Sequence, residues 1–155
     1  MVQITENLAL SSTGARLALA TSEHPKHPPS NILDGNIKTF WVSTGLFPQQ
    51  LIVTLAAPAL VSKIIISSMK VGHLSVDGSS ADTPVDFTPI SEHTIQDTEN
   101  IIQTTSTDCK EEQPVRHLRL IINKGYGPIV SIHRLIMYGS CCTEMTDTIP
   151  QETEK

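Results

Sequence analysis

No stretch of this chain carries a sustained helical repeat of apolar residues. Short apolar runs alternate instead with clusters of turn residues. That rhythm is the signature of an all-β sandwich or barrel. Composition agrees: valine, isoleucine and threonine supply 43 of the 155 residues, and β-branched side chains favour strands over helices. Strands are expected over residues 15–20, 50–55, 62–68, 73–76, 85–87, 100–104, 115–123 and 132–138. Leu118, Leu120 and Ile122 alternate with His117, Arg119 and Ile121, so one face of that strand belongs in a core. The continuous run Ile64, Ile65, Ile66 reads as a strand covered on both faces. Asp34-Gly35, Asp77-Gly78 and the segment from Gly125 to Pro128 carry turn chemistry, and residues 78–83 and 106–114 read as exposed loops.

The length suits one core. Residues 1–140 read as a single β-sandwich domain. Residues 141–155 hold Glu144, Asp147, Glu152 and Glu154 against Lys155, and read as a disordered acidic tail. The formal net charge is -5 with only 11 Lys+Arg, which speaks against a phosphate-tracking surface and so against nucleic acid as a partner. The most apolar window, residues 51–61, is broken by Thr54 and Pro58 and is far shorter than the roughly 20 residues of a membrane helix. Residues 1–14 lack a basic start and an apolar stretch, so no secretory signal is expected there. Three cysteines, Cys109, Cys141 and Cys142, form no even, spaced set and suit a reducing compartment.

The densest chemistry lies in residues 28–41, Pro-Pro-Ser-Asn-Ile-Leu-Asp-Gly-Asn-Ile-Lys-Thr-Phe-Trp. Asn31, Asp34, Asn36 and Thr39 place four oxygen-bearing side chains within nine residues, around a glycine that permits a tight bend. Hard oxygens at a bend suit Ca²⁺. The same residues also suit a plain Asx-turn, with Asn31 and Asp34 capping backbone N–H groups and Phe40 and Trp41 packed inward. Elsewhere, His24 and His27 have metal-like spacing, but the adjoining prolines favour surface histidines. The chain has no G-x-S-x-G elbow, P-loop or dinucleotide fingerprint.

The pattern N-I-L-D-G-N-x-x-T-x-W resembles the calcium loop of the discoidin, or coagulation factor 5/8 type C, superfamily, whose fold is called galactose-binding-like; residues 131–139 resemble its closing strand. A longer string, His27-Pro28-Pro29, Asp34-Gly35-Asn36, Thr39-Phe40-Trp41 and Thr44-Gly45-Leu46-Phe47-Pro48-Gln49, is similar to the small discoidin-domain subunits of intraflagellar transport complex B, a family also filed among small heat-shock proteins. The resemblance implies a discoidin-like β-sandwich jelly roll without catalysis. It implies a heterodimer with the Rab-like small GTPase subunit of that complex, contacts with other complex B subunits, and no direct membrane insertion. The implied setting is the cilium or flagellum and basal body, with a cytoplasmic pool. The implied task is cargo transport and export, including the Bardet–Biedl complex and Hedgehog components. Carried over by position, the family's Ca²⁺ ligands fall on Asn31, Asp34 and Thr39, with Asn36 offering a carbonyl; Arg134 stands where sugar-binding relatives place a glutamate. The implied Ca²⁺ site is structural or weak. The competing class is a carbohydrate-binding lectin, for which Phe47, Phe87 and Tyr126 are the candidate stacking aromatics. A small heat-shock chaperone is a third class, but nothing in the chain resembles an α-crystallin domain.

Overall fold

The computed structural model describes residues 7–97, 101–109 and 113–141. Eight antiparallel strands follow one another: β1 (Arg16–Ala20), β2 (Trp41–Val42), β3 (Gln49–Met69), β4 (Val71–Ser79), β5 (Thr88–Thr94), β6 (Gln103–Asp108), β7 (Val115–Gly125) and β8 (Ser131–Cys141). Two 3-10 helices, Ser11–Thr13 and Pro29–Leu33, complete the described elements.

β3 organises the rest. Its first part pairs with β1 and β7, from Gln49↔Ile122 to Thr54↔His117; its second part pairs with β8 and β6, from Ala59↔Cys141 to Met69↔Ser131 and from Lys63↔Asp108 to Ser68↔Gln103. The register breaks between Thr54 and Ala59, where Pro58 cannot donate to a ladder. One layer is therefore β1-β3-β7-β4-β5 and the other β2-β8-β3-β6, with β3 passing from one to the other. Their inner faces enclose Trp41, Leu51, Leu55, Ile64, Ile66, Leu74, Leu118, Leu120, Ile122 and Ile132, all essentially inaccessible. In β7, Leu118, Leu120 and Ile122 are buried and Arg119 and Ile121 half-buried, as the alternation predicts; His117, expected opposite the core face with Arg119 and Ile121, is instead buried, bonded to Thr54 Oγ1 and the Ala81 carbonyl.

Several expectations need correction. The runs at 50–55 and 62–68 are one strand, because the break at Pro58 is absorbed as a bulge. Ile65 is only half-buried, so the Ile64–Ile66 stretch is covered fully on one face alone. Asp77 and Gly78 are no turn. They lie in β4, where Asp77 pairs with Arg119 across the ladder and Gly78 faces Ile90, whose Cδ1 would be 2.9 Å from a Cβ. Residues 85–87 are loop: Asp86 has φ +58°, and Phe87 is held by the Arg119 guanidinium 4.3 Å above its ring, not by a ladder. The strand at 100–104 is shifted to Gln103–Asp108, which also takes the first residues of the expected loop 106–114. The short β2 was not anticipated. The expected acidic tail lies outside the described residues, apart from Cys141 at the end of β8.

Gly139 marks the tightest approach of β8 to β3. A Cβ there would press into the Leu60 carbonyl oxygen and lie 2.8 Å from Val61 Cα, both backbone atoms that cannot swing aside. Gly139→Ala is expected to lose about 2 kcal/mol of stability or more, as overpacked cores do; urea unfolding followed by circular dichroism measures it, and an unchanged midpoint would contradict this packing.

Candidate functional site

Residues 29–41 are built around the short helix Pro29–Leu33. Pro29 opens it, where a missing N–H costs nothing, and Ile32 and Leu33 drop into the core. Gly35 then turns the chain with φ +78°, a conformation that glycine tolerates best.

Two successive Asx-turns follow. Asp34 Oδ1 accepts the Asn36 N–H at 2.8 Å, and Asn36 Oδ1 accepts the Lys38 N–H at 2.9 Å. Asn31 does not cap an N–H as expected; its Nδ2 donates to the Phe40 carbonyl at 2.9 Å, tying the start of the loop to its end. Thr39 Oγ1 lies 2.6 Å from Asp34 Oδ2, 3.0 Å from the Asn36 carbonyl oxygen and 3.4 Å from that of Asn31. A hydroxyl has one proton and can satisfy one of those three acceptors well. The three candidate ligand residues, Asn31, Asp34 and Thr39, are thus brought together, with Asn36 among them. The donors are all hard oxygens: one carboxylate, two carbonyls and a hydroxyl. That chemistry fits Ca²⁺.

From β8 it is His133, beside Arg134, that reaches this loop. Its Nδ1 faces the Ile37 carbonyl at 3.3 Å and so carries the proton, and its Nε2 accepts from the Ser131 hydroxyl at 3.1 Å. The ring tilts against Phe40 (centroids 4.9 Å apart), and Phe40 stacks on His27 at 4.3 Å. Burial holds the His133 imidazole below the ordinary histidine value, and its bond to Ile37 offsets part of that shift. Arg134 Nε is buried with no hydrogen-bond partner among the described residues. Nothing in the spacing of the sequence pointed to the His27–Phe40–His133 stack, which joins segments about a hundred residues apart.

A second network braces the loop from beneath. Trp41 is fully buried, and its Nε1 donates to the Ser22 carbonyl at 2.9 Å. Ser22 Oγ donates to Gln49 Oε1 at 2.6 Å and accepts the Thr44 N–H at 2.9 Å. Gln49, 1% exposed, closes the network by donating from Nε2 to the Leu46 carbonyl at 2.6 Å. The Thr44-to-Gln49 string is therefore one hydrogen-bonded unit with the tryptophan that ends the loop.

A two-layer sandwich with an oxygen-rich loop leading into a buried tryptophan defines a class of domain. The F5/8 type C domain pattern matches residues 18–135, and the chain belongs to that family. Among solved structures it superposes on the family 32 CBM from C. perfringens NanJ in complex with galactose, with TM-score 0.68 and 25% identity over 85% of this chain and 97% of that one. It also superposes on a chitosan-binding module from Paenibacillus, with TM-score 0.69 and 22% identity over 86% of this chain and 99% of that one. Among curated proteins it is similar to the Homo sapiens intraflagellar transport protein 25 homolog, 34% identical over 140 residues, or 90% of this chain and 96% of that protein. The Chlamydomonas reinhardtii intraflagellar transport protein 25 is 29% identical over 134 residues, 86% of this chain and 70% of that one. The chain thus shares one family with proteins named for intraflagellar transport.

His133 gives the domain a pH dependence of defined sign. Its pKa is lowered on folding, so the unfolded chain takes up the proton more readily. Its contribution is fully present above the unfolded value of about 6.5, is lost as pH falls from there through the lowered folded value, and then levels off. The urea midpoint is expected to fall between pH 7.5 and pH 5 more steeply in the parent chain than in His133→Gln; equal slopes would remove this role. Gln49→Ala should cost about 1–3 kcal/mol in urea unfolding, since it removes two hydrogen bonds worth about 0.5–1.5 kcal/mol each; an unchanged midpoint would contradict the network.

Proposed function

We propose that this chain is a non-enzymatic subunit of intraflagellar transport complex B that pairs with a Rab-like small GTPase. Its place is the cilium or flagellum and basal body, with a cytoplasmic pool, and its task is cargo transport and export, including the Bardet–Biedl complex and Hedgehog components. The observation that carries this reading is 34% identity to the human intraflagellar transport protein 25 homolog over nearly the full length of both chains. The sandwich suits the role, since its rigid strand faces offer a preformed surface to a protein partner. Co-expression with a Rab-like small GTPase should yield one stoichiometric peak on size-exclusion chromatography. Separate elution of the two at micromolar concentration would end the proposal.

In this reading the loop holds a structural Ca²⁺. Asp34 supplies the carboxylate, Thr39 its hydroxyl, and Asn31 and Asn36 their carbonyls, and the ion would relieve the crowding of acceptors around Thr39 Oγ1. Calcium should raise the melting temperature over that in chelator, by an amount that grows with concentration. Asp34→Ala should erase the difference, and identical melts of the parent chain would exclude the ion.

The lectin reading draws on the galactose complex of the NanJ module. The aromatics weaken it. Phe47 packs against the core, Phe87 lies beneath Arg119, and Tyr126 spends its hydroxyl on the Ile95 carbonyl. Tyr126, 41% exposed, is the most open of the three, and its hydroxyl is already committed to the Ile95 carbonyl.

A further inference from the structure

β8 and the second half of β3 turn one face to the core and the other away from it. Ile64, Ile66, Leu135 and Met137 are buried in the core, and the residues between them point outward. The ladder sets these in three rows: Arg134 opposite Ser67, Ile136 opposite Ile65, and Tyr138 opposite Lys63. β6 extends the rows with Thr104, Ser106 and Asp108, all exposed.

A break in the ladder places Arg134. Ser67 pairs with Arg134 but Ser68 with Ile132, so His133 is an extra residue in β8. The bulge frees His133 to turn to the Ile37 carbonyl and leaves Arg134 in its row on the outer face.

The Arg134 side chain has no ion pair and no hydrogen bond among the described residues, and its Nε is closed off from solvent. A guanidinium stays charged and carries five N–H donors. A buried charged donor left without an acceptor is costly. Asp108, the one described carboxylate in the three rows, stands two rows away and 3.8 Å from Lys63. The row beside Arg134 is apolar across β3 and β8, with Ile65 half-buried and Ile136 buried, and Tyr138 follows in the next. A cation short of an acceptor beside an apolar row calls for a carboxylate flanked by apolar groups, since a carboxylate forms two parallel N–H···O bonds with arginine. Arginine and tyrosine are also enriched among the residues that dominate protein–protein binding.

We propose that the outer face of β8, β3 and β6 docks an acidic segment of a protein partner. An Asp or Glu carboxylate of that segment pairs with the Arg134 guanidinium, and an adjoining apolar side chain covers Ile65. The face is separate from the oxygen-rich loop, and the proposal goes beyond the function proposed above and does not depend on it. The first measurement uses the full chain alone. Arg134→Met keeps an unbranched stem and removes the unpartnered donors, so the urea midpoint should hold or rise; a fall would show that the guanidinium serves the fold and would overturn the proposal. The second titrates the full chain with capped Leu-Glu-Leu and Leu-Lys-Leu peptides and with acetate, and follows the Arg134 Nε–H and Ile65 methyl resonances. Leu-Glu-Leu should shift both saturably and bind at least about tenfold tighter than Leu-Lys-Leu, a difference of about 1.4 kcal/mol. Arg134→Met should remove that preference. Acetate binding as tightly as Leu-Glu-Leu would make the site one for a bare anion. That result, equal binding of the two peptides, no shift at either resonance, or a preference that survives Arg134→Met would each overturn the docking face.

Discussion

Everything in this domain hangs on a strand that serves two sheets. β3 has 21 residues, which at roughly 3.3 Å each spans about 70 Å, several times the length of a usual strand. A strand so long must bend, and its register breaks at three places against β7 and β8. At the break between Thr54 and Ala59 the pairing passes from β1 and β7 to β8 and β6, while the other two breaks lie within the ladder to β8. Because the layers are joined through β3, they need no loop to hold them together on that side. The cost falls on the far side, where β5 and β6 end the two layers without pairing to each other. The crossing of β3 and the unpaired edges of β5 and β6 are thus two ends of one geometric constraint.

The loop of residues 29–41 shows how a motif's spacing follows from hydrogen bonding. Ser22, Trp41, Thr44, Leu46 and Gln49 are scattered along 28 positions, yet they form one connected network. A buried glutamine is costly unless its amide is satisfied at both ends, and here both ends are used. The network sets where the loop begins its return to the sheet, and so helps aim Asp34 and Thr39 at each other. The oxygen cluster is thus held both by its own Asx-turns and by a network that does not touch it.

How much of this was legible depends on which contacts are local. The all-β class could be read because β-branched runs and turn residues act within a few positions, and the core face of β7 could be read from Leu118, Leu120 and Ile122, although buried His117 on the opposite face escapes that alternation. Asn31, Asp34 and Thr39 converge as the spacing suggested, since all three lie within one nine-residue loop. Asp77-Gly78 misled because the dipeptide's turn preference gives way to Arg119, 42 residues downstream in sequence and adjacent across the ladder. His133 was invisible for the same reason: its contact with Ile37 spans 96 positions, and no local pattern encodes it. The unity of β3 was hidden by Pro58, whose missing donor reads locally as a break and structurally as a bulge.

Trp41 is the only tryptophan in the chain, and it sits where the sandwich core, the oxygen-rich loop and the Gln49 network meet. Its indole is shielded from solvent and fixed by one hydrogen bond. The protein therefore carries an intrinsic optical reporter with a single, known location. A shift in its emission would signal loosening of the frame beneath the loop while the sheets remain intact, without any label being introduced.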